Sequence, residues 1–167
     1  MTLEQAEKVF KQYNGSSFHM SREEPSVYEA FRAMDLSDSQ KDQWRMEIAE
    51  EHLKKIKTEE PRSWSYFSSM AEVLMDVRTI GGLPEEYLIE GIRRQEGCDE
   101  MTRTITLETV CGRTRDHHDG VIAWFRKHGG DLSRLKDVTD RLLPSSEKDI
   151  DPRLGKAIAL YRSLIRG

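Results

Sequence analysis

The sequence predicts an all-α fold, on three observations. Apolar residues recur at helical spacing along nearly all of it, Pro and Gly sit where one apolar stripe stops and the next begins, and strand-like alternation is confined to one short stretch. This punctuation divides the chain into about nine short helices with short connections, the spacing of helices that pack on their neighbours. Two architectures fit: an irregular α-solenoid of the HEAT or armadillo kind, which tolerates weak repetition, or a compact multi-helix bundle. No repeat signature recurs, and 167 residues suit one domain spanning 1–167.

The elements follow in order. Leu3, Ala6, Val9, Phe10 and Tyr13 share one helical face, which Asn14-Gly15 stops. Residues 14–21 have no helical pattern and read as a loop that tucks Phe18 or Met20 onto the next helix. Glu24-Pro25 starts a helix with Val27, Ala30, Phe31 and Met34 in one stripe. Ser37 and Gln40, three apart, resemble a capping box opening the longest helix, which turns Trp44, Ile48, Ala49, His52, Leu53 and Ile56 to one side. After Pro61, the span 63–79 is apolar around most of its circumference, which predicts the centre of the core, with Phe67 and Leu74 deepest. Pro84 begins the next helix, where Leu88, Gly91 and Ile92 face inward.

Residues 100–111 are ambiguous. Ile105, Leu107, Thr109 and Cys111 alternate as in a strand, but a lone strand leaves its backbone unpaired, so a helix is expected. Val121, Ile122, Trp124 and Phe125 form a helix ending at Gly129-Gly130, and Asp131 caps one carrying Leu132, Leu135, Val138 and Leu142. Asp151-Pro152 opens the last stripe, Leu154 to Ile165.

Composition narrows the class. Charged residues are 34% of the chain and hydrophobic ones 37%, no apolar run approaches the ~18 residues of a membrane span, and the N-terminus lacks a secretory pattern. The two cysteines, Cys98 and Cys111, are not in a C-x-x-C pair, so reduced thiols and a cytoplasmic location are expected. Residues 1–100 hold 13 Lys/Arg against 21 Asp/Glu, a net −8, whereas residues 101–167 hold 13 against 9, a net +4. Acids interleave with the C-terminal bases, which favours differently solvated faces over a nucleic-acid stripe.

The densest polar constellation is Asp116, His117, His118 and Asp119, with His128 beyond it. Such a set has the chemistry of a metal site, but adjacent helical residues point about 100° apart and no helically spaced ligand pair exists. A solvated helix start is the expectation, with no catalytic residue, cofactor or metal assigned. Two resemblances attach to these letters. Asp116-His117-His118 is similar to the DHH signature of a phosphoesterase family, whose parallel α/β framework this chain lacks. His118-Asp119 resembles the doublet of the HD-type phosphohydrolases, which are all-α. That resemblance implies metal-dependent hydrolysis with an upstream histidine, here His52, and a downstream aspartate, here Asp131, Asp137 or Asp140. His52 itself, beside Ile48, Leu53 and Ile56, reads as a hydrogen-bonded residue at the core edge.

The span 121–143 has the outline of a helix-turn-helix, with Arg126, Lys127, Arg134, Lys136 and Arg141 around its turn. Asp137 and Asp140 on the second helix would repel phosphates, so DNA regulation is the third reading. No P-loop, G-x-G-x-x-G, G-x-S-x-G or H-E-x-x-H string is present. The function expected first is therefore an interaction or scaffold domain that binds a macromolecular partner, protein before nucleic acid, through a helical face.

Overall fold

The computed structural model describes residues 1–56, 61–112 and 119–167. Among them run ten helices and no strand: α1 (Leu3–Gln12), α2 (Ser17–Glu23), α3 (Pro25–Arg32), α4 (Asp38–Lys55), α5 (Ser63–Met75), α6 (Leu83–Arg93), α7 (Glu100–Cys111), α8 (Gly120–His128), α9 (Leu132–Asp140) and α10 (Pro152–Arg166). The all-α expectation holds, with one helix more than the punctuation suggests. That helix is α2, so the loop expected over residues 14–21 is corrected. The Ser16 side chain accepts the His19 N–H and caps a helix that buries Met20 and leaves Phe18 66% exposed.

The ambiguous stretch is helical, and its threonines show how. Asp99 caps α7 through the Thr102 N–H at 2.8 Å, and Gly112 ends it in the left-handed conformation. Inside the helix, the Thr104 and Thr109 hydroxyls donate to the carbonyls of Glu100 and Ile105, one turn back, at 2.8 and 2.9 Å. A buried threonine hydroxyl satisfied this way costs the interior little, which lets α7 bury Thr104 and Thr109 beside Leu107 and Val110, whereas the buried Thr106 hydroxyl has no partner among the described residues.

Packing separates the two architectures. A solenoid helix meets only its sequence neighbours. Here α5 packs on α4, α6, α7 and α8, while α10 returns onto α7 and α9 onto α6. The arrangement is a compact bundle with α5 inside it, and Phe67, Met70, Ala71 and Leu74 on α5 are completely buried. The α5–α6 crossing is close because of Gly91, where a Cβ would lie 2.4 Å from the Met70 Cε.

Helix α4 joins two apolar clusters. Met46, Ala49, Leu53 and Ile56 enter the main core with α5–α10, whereas Trp44 and Ile48 join Ala6, Phe10, Met20 and Phe31 of α1–α3. Phe10 anchors this second cluster, with ring centroids 5.9 Å from Phe31 and 5.5 Å from Trp44. No helix among the described residues is long and apolar enough to cross a membrane.

Candidate functional site

The most consequential polar residue in the fold is Asp42, which the sequence pattern did not single out. Its position on α4 turns it inward, and it is completely buried. A buried carboxylate must be paired and hydrogen-bonded. Asp42 Oδ2 accepts from the backbone N–H of Arg78 at 2.9 Å, the N–H of Thr79 at 2.8 Å and the Thr79 hydroxyl at 2.8 Å, while Oδ1 accepts from Arg45 Nη1 at 2.6 Å. Burial pushes this carboxyl upward, but those four donors outweigh burial and hold it below the usual carboxylate range. The same bonds explain why α5 ends at Met75 and not at 79 as the apolar run suggested: Asp42 takes the N–H groups of residues 78 and 79.

Around this anchor opens a cleft of about 330 Å³ between α3, the start of α4 and the turn after α5. Phe10, Tyr28 and Phe31 supply aromatic wall, and Arg32, Lys41, Arg45 and Arg78 supply four cations. Arg45 is held twice, by Asp42 and by stacking its guanidinium 5.5 Å from the centre of the Phe10 ring. Arg32, Lys41 and Arg78 have no carboxylate within ion-pair distance among the described residues, although Asp35 and Asp38 line the same cleft. Other bases are paired, among them Lys11 with Glu7 and Glu47, Arg93 and Arg94 with Glu90, Arg134 with Glu86, Arg153 with Glu108 and Arg162 with Glu147, whereas scattered surface bases such as Lys8, Arg22, Lys127 and Lys156 have no ion pair among the described residues. What sets the cleft apart is that its bases share one concavity.

No family model, curated protein or solved structure matches this chain.

Of the histidine constellation, Asp116, His117 and His118 lie outside the described residues. Asp119 is exposed at the N-cap of α8 and its side chain makes no cap bond. His128 ends the same helix, roughly 13 Å along its axis, and stacks on Trp124 with ring centroids 4.7 Å apart. Asp119 and His128 are thus not brought together, and among the described residues no group of three or more His, Cys, Asp or Glu side chains could hold a metal ion. The acids that the HD-type resemblance pointed to are distributed: Asp131 caps α9 through the Arg134 N–H, Asp140 accepts the Tyr161 hydroxyl at 2.8 Å, and Asp137 is exposed. In the helix-turn-helix outline, Arg126 donates to the Leu164 carbonyl, and Arg134, Lys136 and Arg141 pair with Glu86, Asp140 and Glu96. Among the described residues Cys98 and Cys111 form no disulfide, and burial pushes the Cys98 thiol up to about 11, away from nucleophilic chemistry.

His52 occupies the core-edge position expected of it. Its Nε2 lies 3.2 Å from Asn14 Oδ1, on the left-handed residue that ends α1, and Nδ1 is buried with no partner. The acceptor at Asn14 fixes the proton on Nε2, so Nδ1 is the bare nitrogen of a neutral ring. Burial, and secondarily Lys55, lower the tendency of His52 to protonate, with Glu51 opposing. A histidine depressed in the folded state binds fewer protons than the unfolded chain, so its stabilising contribution is complete above the ordinary value of about 6.5 and is lost as pH falls through the folded value. The melting temperature is expected to drop between pH 7.5 and 5.5 in the native protein, and to drop less in His52→Gln. Parallel curves for the two proteins would show that Nδ1 finds an acceptor when it protonates.

Proposed function

We propose that this chain is a helical interaction domain whose cleft beside Asp42 receives an acidic segment of a partner protein. The observation that carries the reading is an excess of bases, Arg32, Lys41, Arg45 and Arg78 against Asp35 and Asp38, lining one concavity of a half-chain whose net charge is −8 by 13 Lys/Arg against 21 Asp/Glu. A local excess of like charge held in one concavity favours an anion there. The first turn of α4 opens onto the same space and adds the positive end of its dipole. Burial of Asp42 fixes two of the cation-bearing positions, 45 and 78, relative to each other, which lowers the ordering cost of binding. The acidic surroundings disfavour a long polyanion such as duplex nucleic acid, and the volume of about 330 Å³ suits a few side chains.

A hexapeptide of glutamates titrated into labelled protein tests this. Amide resonances of residues 32, 41, 45 and 78 are expected to shift together, with affinity falling as salt rises, and a hexapeptide of lysines should leave them in place. Arg32→Glu with Lys41→Glu reverses exposed or half-exposed charges and should abolish the response while keeping the helical spectrum. Shifts scattered over the +4 C-terminal portion, or none at millimolar peptide, would refute the reading.

A further inference from the structure

Resting on that reading, we propose that the group this cleft selects is the phosphate of a phosphorylated serine or threonine in the partner segment. Two acids share the cleft with its cations. Asp35 and Asp38 are both exposed and line the same concavity as Arg32, Lys41, Arg45 and Arg78, yet neither pairs with Arg32, Lys41 or Arg78 among the described residues. A segment with its negative charge spread over several glutamates meets those aspartates as well as the cations, and part of the attraction cancels. A ligand whose charge is concentrated at one point can sit among the cations with the rest of its chain neutral. Phosphate carries close to two charges and three acceptor oxygens on one tetrahedral centre, against one charge and two oxygens for a carboxylate. The neutral remainder then turns the aspartates to use, as acceptors for the backbone N–H groups flanking the modified residue.

The cleft offers donors suited to such a group. Arg45 is pre-positioned by Asp42 at 2.6 Å and by the Phe10 ring, and Arg45 Nη1 is the nitrogen engaged, which leaves Nη2 to donate. Arg32, at the C-terminal end of α3, and Arg78, in the turn after α5, line the cleft from separate elements, so an anion bound there has arginines on more than one wall. Lys41 adds a flexible fourth charge. The partly buried Tyr28 and Leu36 give the apolar contact that a side-chain methylene or the threonine methyl needs.

The decisive experiment compares four probes on the whole chain by amide chemical shifts. They are a neutral pentapeptide with a central phosphoserine, the same peptide with serine, the same peptide with glutamate, and inorganic phosphate. The phosphopeptide is expected to bind at least about tenfold more tightly than the glutamate peptide, with the serine peptide silent. Inorganic phosphate should bind at the same residues but more weakly, since it lacks the flanking amides. Arg78→Gln and Arg32→Gln, both at exposed positions, should each reduce the phosphopeptide preference without altering the helical spectrum. Equal binding of glutamate and phosphoserine peptides would overturn the phosphate inference and leave the acidic-segment reading in place. Inorganic phosphate binding as tightly as the phosphopeptide would overturn the peptide part, marking a site for a free anion. No response from any probe, including the glutamate hexapeptide, would overturn both.

Discussion

Asp42→Ala is expected to destabilise the fold by about 3–5 kcal/mol, the usual cost of breaking a buried ion pair from one side. The substitution leaves Arg45 Nη1, the Arg78 and Thr79 N–H groups and the Thr79 hydroxyl without their acceptor. Arg78 and Thr79 are exposed and recover water, but the Arg45 side chain is only 16% exposed and remains largely desolvated. Asp42→Asn keeps the volume and one acceptor oxygen while presenting an NH₂ to a donor, so it should fall between Ala and the native residue. Urea denaturation gives the order: native, then Asn, then Ala, in falling midpoint. Acid adds a second signature. Because the folded carboxyl lies below its usual range, its contribution is present above the ordinary value near 3.9 and is lost as pH falls through the folded value. The acid limb of the stability curve should therefore be shallower in Asp42→Asn. A loss below about 1 kcal/mol in Asp42→Ala would mean that water replaces the carboxylate, and that this network organises neither the 78–79 turn nor the cleft.

The link from Asp42 to the cleft explains what sequence reading reached and what it missed. Helical spacing is a local property, and it located α4 and α5, with Phe67 and Leu74 fully buried where the apolar run on 63–79 predicted the core. Spacing fails when a cap carries the information. The α2 helix starts from Ser16, directly after a left-handed Gly15, and buries only Met20, so seven residues leave no stripe to see. For α7, the alternation of Ile105, Leu107, Thr109 and Cys111 suggested a strand, whereas Asp99 three residues before Thr102 and Gly112 at the end bracketed a helix. Those two caps were the better signal.

The candidate site was less legible. Arg32, Lys41, Arg45 and Arg78 belong to α3, α4 and the turn after α5, and only tertiary bonds from Asp42 bring position 78 to the others. Charge summed over residues 1–100 gave −8, from 13 Lys/Arg and 21 Asp/Glu, and concealed a local excess of the opposite sign. Asp116, His117 and His118 lie outside the described residues, and adjacency in sequence does not by itself bring side chains together. A single clue to the cleft beside Asp42 was available: Asp42 falls between Ser37 and Trp44 on the longest helix, a carboxylate next to an apolar stripe.

Gly120→Ala is expected to cost about 2–5 kcal/mol, the sum of two separate effects. Gly120 has φ +75°, a left-handed conformation that costs an L-residue about 1–2 kcal/mol. Its added Cβ would lie 2.3 Å from the Gly112 nitrogen, 2.7 Å from the Cys111 carbonyl carbon and 2.7 Å from the Gly112 Cα. All three are backbone atoms, so no side chain can swing aside. The contact is reciprocal, since a Cβ on Gly112, at φ +90°, would lie 2.8 Å from the Asp119 carbonyl. Backbone therefore meets backbone where α7 ends and α8 begins. Any Cβ there must separate the two helices, whose next residues are core: Leu107 and Val110 on one side, Val121, Ile122 and Phe125 on the other. Overpacking of that kind costs about 1–3 kcal/mol more. Gly129 supplies the control. It ends α8 at φ +69° with nothing within 4 Å of a Cβ, so Gly129→Ala meets the conformational cost alone. Denaturation midpoints should fall in the order native, Gly129→Ala, Gly120→Ala, with near-ultraviolet circular dichroism changed only in the last, because Trp124 and Phe125 sit on the displaced helix. Equal losses at the two glycines would show that the α7–α8 contact yields freely and that left-handed strain is the whole effect.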